Sequence, residues 1–176
     1  MNYFEIFNLD ISFDIDLNLL QSKYLDLQRM VHPDTLNLAN MDKDLSLVNA
    51  SSVNLAYNVL KDDIKRGQHI LKLNGINSID ELNVQLDIDF YDNILSDSEV
   101  IDTIVLNSVV HRKLSCKETS QLEQIIKKRT DEYSNHYQSA SNYYKQKQID
   151  IFGIHIVILR YISNLITKAQ NILNSY

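Results

Sequence analysis

Glycine and proline are almost missing from this chain: three Gly and one Pro, Pro33, stand among 176 residues. Tight turns draw on these two residues, and a β-sandwich or barrel needs a turn about every 8–12 positions, so long helices are the economical fold. With 44% hydrophobic residues the chain can bury a core, and its charged residues, 23%, are interspersed rather than massed as in a disordered segment. The size suits one or two small domains.

Seventeen Lys and Arg against 23 Asp and Glu leave a formal charge of −6. That charge repels phosphate backbones and anionic lipid, so neither nucleic acid nor a membrane is an expected partner. Cys116 is the single cysteine; it has no disulfide partner and no neighbour at zinc-ligand spacing, which suits a reducing, cytoplasmic setting with no metal or cofactor. The most apolar run, 151–159, stops at Arg160, short of the about 20 residues of a bilayer span. Asp10, Asp14 and Asp16 precede the first Lys, unlike a secretory signal or transit peptide, so the mature protein is expected to start at Met1.

Helical spacing organises the first 75 residues. Asp16 is the expected N-cap of a helix whose apolar stripe is Leu17, Leu20, Tyr24, Leu27 and Val31. The residue before a proline is pushed out of the α region, so that helix should end near Val31, with His32-Pro33-Asp34 opening the loop 33–44. Leu45, Val48, Ser52, Leu55, Ala56 and Val59 form the facing stripe of an antiparallel partner, and a shorter helix closes at Gly75. Beyond an aperiodic linker come three long amphipathic segments without proline, read as an antiparallel three-helix bundle. The expected boundaries are 1–75, a linker at 76–83, and 84–176. Within the bundle Arg129 interrupts a near-heptad of Leu122, Ile126, Tyr133, Tyr137, Ala140 and Tyr144, and Lys127-Lys128-Arg129 is read as a solvated face.

Pro33 cannot donate a backbone hydrogen bond, so the corner it makes is expected to stay open, with His32 and Asp34 pointing outward. A carboxylate just past a helix C-terminus gains nothing from the helix dipole and is available to an arginine of a partner. His32 with Asp34 also has the chemistry of an acid–base pair, which keeps a small hydrolase as the rival reading. No nucleophile, metal cluster or phosphate loop accompanies the pair, so no enzyme activity is expected. His69, His111, His136 and His155 are far apart in sequence and are read as surface or satisfied residues.

This arrangement resembles the J domain of DnaJ-like co-chaperones, in which a His-Pro-Asp loop joins the second and third helices. Asn2-Tyr3-Phe4-Glu5-Ile6-Phe7, Tyr24-Leu25-Asp26-Leu27-Gln28-Arg29, Val53-Asn54-Leu55-Ala56-Tyr57-Asn58-Val59-Leu60 and Arg66-Gly67-Gln68-His69-Ile70-Leu71 are similar to the HscB family, the J proteins of bacterial iron–sulfur cluster assembly. The resemblance implies an all-α protein, a J domain followed by a client-binding bundle, which stimulates the ATPase of a DnaK-type, HscA-like chaperone and delivers an IscU-like scaffold protein. It implies chaperone binding by His32, Pro33 and Asp34 with Lys23 and Arg29, and client binding by Tyr91, Leu95, Glu99 and Tyr161. Thr35 replaces the family's usual lysine, and Asp92 and Ser96 stand where an apolar residue and an acid are usual. A J protein serving another client is the alternative.

Overall fold

The computed structural model describes residues 1–31, 50–78, 82 and 86–176, which form helices joined by short connections. They divide into two compact units, Met1–Ser78 and Ile79–Tyr176.

The first unit holds α1 (Tyr3–Ile6), α2 (Leu17–Val31), α3 (Ala50–Leu60) and α4 (Asp63–Leu73). The starts of α1, α2 and α4 have side-chain caps: Asn2 Oδ1 accepts from Phe4 N, Asp16 Oδ1 from Asn18 N and Leu19 N, and Asp62 from Ile64 N and Lys65 N. Gly75 takes φ +91°, the left-handed region that follows a helix end. The core is Phe4, Phe7, Phe13, Leu20, Val53, Ala56, Leu60, Ile70 and Leu71. Of the predicted stripe residues Leu20 and Ala56 are in it; Tyr24, Leu27, Ser52 and Val59 are half-buried, and Leu17 is 49% and Leu55 52% exposed. Val53 and Leu60 take the inward places, a rotation of the buried face that a stripe drawn through Leu55 misses. Leu45 and Val48 lie outside the described residues.

The core also contains an arginine. Arg66 donates from Nε to the Phe13 carbonyl (2.7 Å) and from Nη1 to that of Leu60 (2.6 Å), and pairs with Asp63 (2.6 Å). One guanidinium thereby satisfies the loop before α2 and the end of α3, groups that helical hydrogen bonding leaves open. His69 is also buried. Its Nε2 accepts from the Tyr3 backbone N–H (3.1 Å) with the Tyr3 ring stacked on it, and burial holds its pKa below the usual 6.5.

The second unit is α5 (Ile88–His111), α6 (Cys116–Lys145) and α7 (Ile149–Ser175), reversing direction at two short connections. Ser115 and Glu118 form a reciprocal capping box at the start of α6. α7 is the central element, with Phe152, Ile156, Leu159, Ile162 and Ala169 fully buried. It runs well past the apolar stretch visible in sequence, and by length and composition it is long and apolar enough to cross a membrane; here its apolar side chains fill the bundle core. Ile101, Ile104, Leu122, Ile125, Leu165 and Ala169 make one buried cluster drawn from all three helices.

Arg129 corrects the reading of residues 127–129 as a solvated face. It is 1% exposed, grips Asp97 with Nε and Nη2 (2.8 and 2.7 Å), pairs with Glu132, and donates to the Asn93 carbonyl (2.8 Å). The break in the heptad is thus an inward polar clamp that ties α6 to α5. Two of the histidines that are scattered in sequence are neighbours in the fold. His136 on α6 and His155 on α7 meet, Nδ1 to Nδ1, at 2.9 Å, with Tyr143 stacked on His155.

Candidate functional site

In the second unit α5 and α7 bring three aromatic rings together. Ring centroids of Tyr91 and Tyr161 are 5.8 Å apart and those of Phe90 and Tyr161 are 6.4 Å apart, all edge to face, and the Arg160 guanidinium lies 5.9 Å from the Tyr161 ring. The α5 start that positions Phe90 and Tyr91 is capped by Asp87, which accepts from Asp89 N. One turn further in, the Arg129 clamp on Asp97 and Asn93 fixes the rotation of this half of α5.

Tyr91 is 40% exposed and Leu95, one turn on, 59%, while Tyr161 is half-buried. A hydrogen bond with the Tyr161 side chain raises the Tyr91 phenol above its ordinary value of 10.0. Glu99 is exposed one further turn along, on the same face. Asp92 is exposed as well, and Asp102 pairs with Lys168 at 2.7 Å. The result is a small, mostly apolar surface with its polar atoms at the rim and carboxylates around it, an arrangement suited to binding a protein surface and lacking any pair of groups aimed at bond-making chemistry.

Four of the residues singled out in the sequence therefore sit on one side of the bundle. Phe90 and Arg160, which support Tyr161, were not singled out; their role depends on which α7 turn faces α5, and no local pattern encodes that pairing.

The other predicted surface is described only in part. His32, Pro33 and Asp34 lie outside the described residues. Of the flanking cations, Arg29 is exposed and pairs with Asp26 at 3.3 Å. Lys23 is half-buried and donates from Nζ to the carbonyl of Asn8 at 3.1 Å, next to the positive φ, +47°, with which the chain leaves α1. Part of its capacity is thus spent on the fold. Among the described residues no group of three or more His, Cys, Asp or Glu is arranged to hold a metal ion.

No protein-family model matches the chain. Residues equal to 43% of it align, 47% identical over 77 positions, with 44% of the Co-chaperone protein HscB homolog of Shewanella loihica, and 46% identical over the same length with that of Shewanella pealeana. These alignments span less than half of the curated relatives. The fold likeness is wider. Chaperone HscB from Vibrio cholerae superposes with a TM-score of 0.76 over 99% of this chain and 98% of its own, at 24% identity. Human co-chaperone protein HscB gives 0.73 over 98% and 82%, at 26% identity. Fold and sequence together define a J-domain protein carrying a C-terminal helical bundle. Within that class, the relatives and solved structures it resembles are HscB co-chaperones.

Proposed function

We propose that this protein is the J-domain co-chaperone of iron–sulfur cluster assembly, an adaptor and not an enzyme. In this reading residues 1–75 dock on a DnaK-type, HscA-like chaperone and residues 84–176 hold an IscU-like scaffold protein. The J unit binds through His32, Pro33 and Asp34, with Asp34 taking an arginine of the chaperone and Lys23 and Arg29 meeting an acidic face. The rate gain belongs to the chaperone's ATPase, because an adaptor that binds one conformation of a motor more tightly shifts its equilibrium toward that conformation. The bundle holds the scaffold with Tyr91, Leu95 and Tyr161 as anchors and Glu99 in the acidic rim. Cytoplasmic placement agrees with the lone thiol of Cys116.

The observation that carries this reading is the exposed pair Tyr91 and Leu95 beside Tyr161, in a chain that is 47% identical over 77 residues to an HscB homolog. The test is single-turnover ATP hydrolysis by the cognate chaperone, alone, with this protein, and with its Asp34→Asn form. Stimulation by the parent and not by the variant is expected; equal stimulation by both removes the loop from the mechanism. Pull-down with the full chain separates the two client readings, since enrichment of another protein without the scaffold favours a J protein with a different client.

A further inference from the structure

The apolar face of α5 does not end at the aromatic cluster. Leu106 is 69%, Val109 66% and Val110 75% exposed, three aliphatic side chains massed at the far end of the helix. A helix turns by about 100° per residue, so these three fall with Tyr91, Leu95, Glu99 and Asp102 within about a third of the circumference. Of the large apolar side chains that stay exposed among the described residues of this unit, all but Ile151 and Tyr176 lie on α5. Leu95 and Leu106 are about 16 Å apart along the axis, at 1.5 Å per residue.

The face has a charge order as well: apolar, then Glu99 and Asp102, then apolar again, with the exposed Arg112 and Lys113 beyond the helix end. This order disfavours a second copy paired in parallel or about the middle of α5. Antiparallel pairing about the middle of α5 sets Glu99 against its own copy, and parallel pairing sets Glu99 on Glu99 and Asp102 on Asp102. A different protein with a basic group between two apolar ones matches it. A specific interface covers about 800 Å² per partner, with some 20–30 residues a side, which the few residues at the Tyr91 end cannot supply. The uncovered apolar surface that continues from that end is the rest of the same helix face.

We infer that Leu106, Val109 and Val110 form a second anchor for the client held at the Tyr91 end, so that the client lies along α5 with a basic residue over Glu99, beside the Asp102–Lys168 pair. The inference rests on the proposed scaffold-binding role of Tyr91 and Leu95 and extends it.

The test is calorimetric titration of the full chain with the cognate iron–sulfur scaffold protein at fixed salt. Leu106→Ser with Val109→Ser and Val110→Ser is expected to weaken binding about tenfold or more, with an unchanged circular dichroism spectrum and unchanged chaperone stimulation in the absence of scaffold. Parent-like affinity of this variant, alongside loss of binding in Leu95→Ala, overturns the second anchor and leaves the Tyr91 reading standing. A parent chain that does not bind the scaffold overturns both. If the triple variant unfolds, Val109→Ala with Val110→Ala takes its place: weakening of about threefold or more supports the anchor and parent affinity overturns it. Sedimentation equilibrium closes the remaining route, since a parent dimer dissolved by these substitutions assigns the face to a second copy and overturns the proposal.

Discussion

Arg66 and Arg129, each 1% exposed, are the costliest side chains among the described residues to take out of water, and each is retained by polar groups that would themselves be left open without it. Replacing Arg66 by Met orphans the carbonyls of Phe13 and Leu60 and breaks the pair with Asp63. The expected cost is about 2–4 kcal/mol in urea unfolding, well above the effect of an exposed residue. Arg29→Met, which removes an exposed pair with Asp26, is expected to change stability by less than about 0.5 kcal/mol in the same measurement. Tyr161 presents the opposite balance. It is half-exposed, so Tyr161→Ala is expected to leave the melting temperature within a few degrees of the parent while weakening scaffold binding by about tenfold or more. Legibility at this scale was uneven: the Asp16 cap could be read from local letters, whereas the inward turn of Arg129 could not, because Asp97 lies on another helix.

At the scale of elements, the contact between α6 and α7 includes the His136–His155 pair. Burial is the main cause that holds both imidazoles below the usual 6.5, and for His155 the neighbouring His136 adds to it. A shared hydrogen bond between two ring nitrogens needs one of them unprotonated; the charge facing the pair is Glu132, which favours the cation at His136, and the uncharged Tyr143 ring is stacked on His155. The native state therefore binds fewer protons than the unfolded chain. This contribution to stability is complete above about pH 6.5 and is lost as the pH falls through the lowered native values. Melts followed by circular dichroism should show the bundle less stable at pH 5.5 than at 7.5, and His155→Phe should flatten the part of that dependence due to the pair; an equally steep dependence in the variant would assign it elsewhere, His69 included. The helix ends make a simpler case. Ser115→Ala removes the capping box of α6 and is expected to cost about 1 kcal/mol.

For the whole molecule, the two compact units carry two proposed surfaces, and variants in one should spare the other. Asp34→Asn is expected to abolish chaperone stimulation with scaffold affinity unchanged. Leu95→Ala with Tyr161→Ala should lower scaffold affinity and leave stimulation by the protein alone intact. Joint loss of both activities from either set, with the fold retained, would contradict the division of labour.

Much of this architecture is written in local terms. Helices at 3–4 spacing, the cap at Asp16 and the left-handed exit at Gly75 each depend on neighbours within a turn or two, so the letters alone specify them. The His-Pro-Asp signature is local too, which made the resemblance to J-domain co-chaperones legible in the letters. What lies between distant segments is of another kind: the meeting of Tyr91 with Tyr161, of His136 with His155, of Arg129 with Asp97, and the exposure of Leu106, Val109 and Val110. An apolar residue on an amphipathic helix reads alike whether it is covered or bare. Only the rotation and pairing of packed helices settles which, because burial is a property of neighbours that chain order does not name.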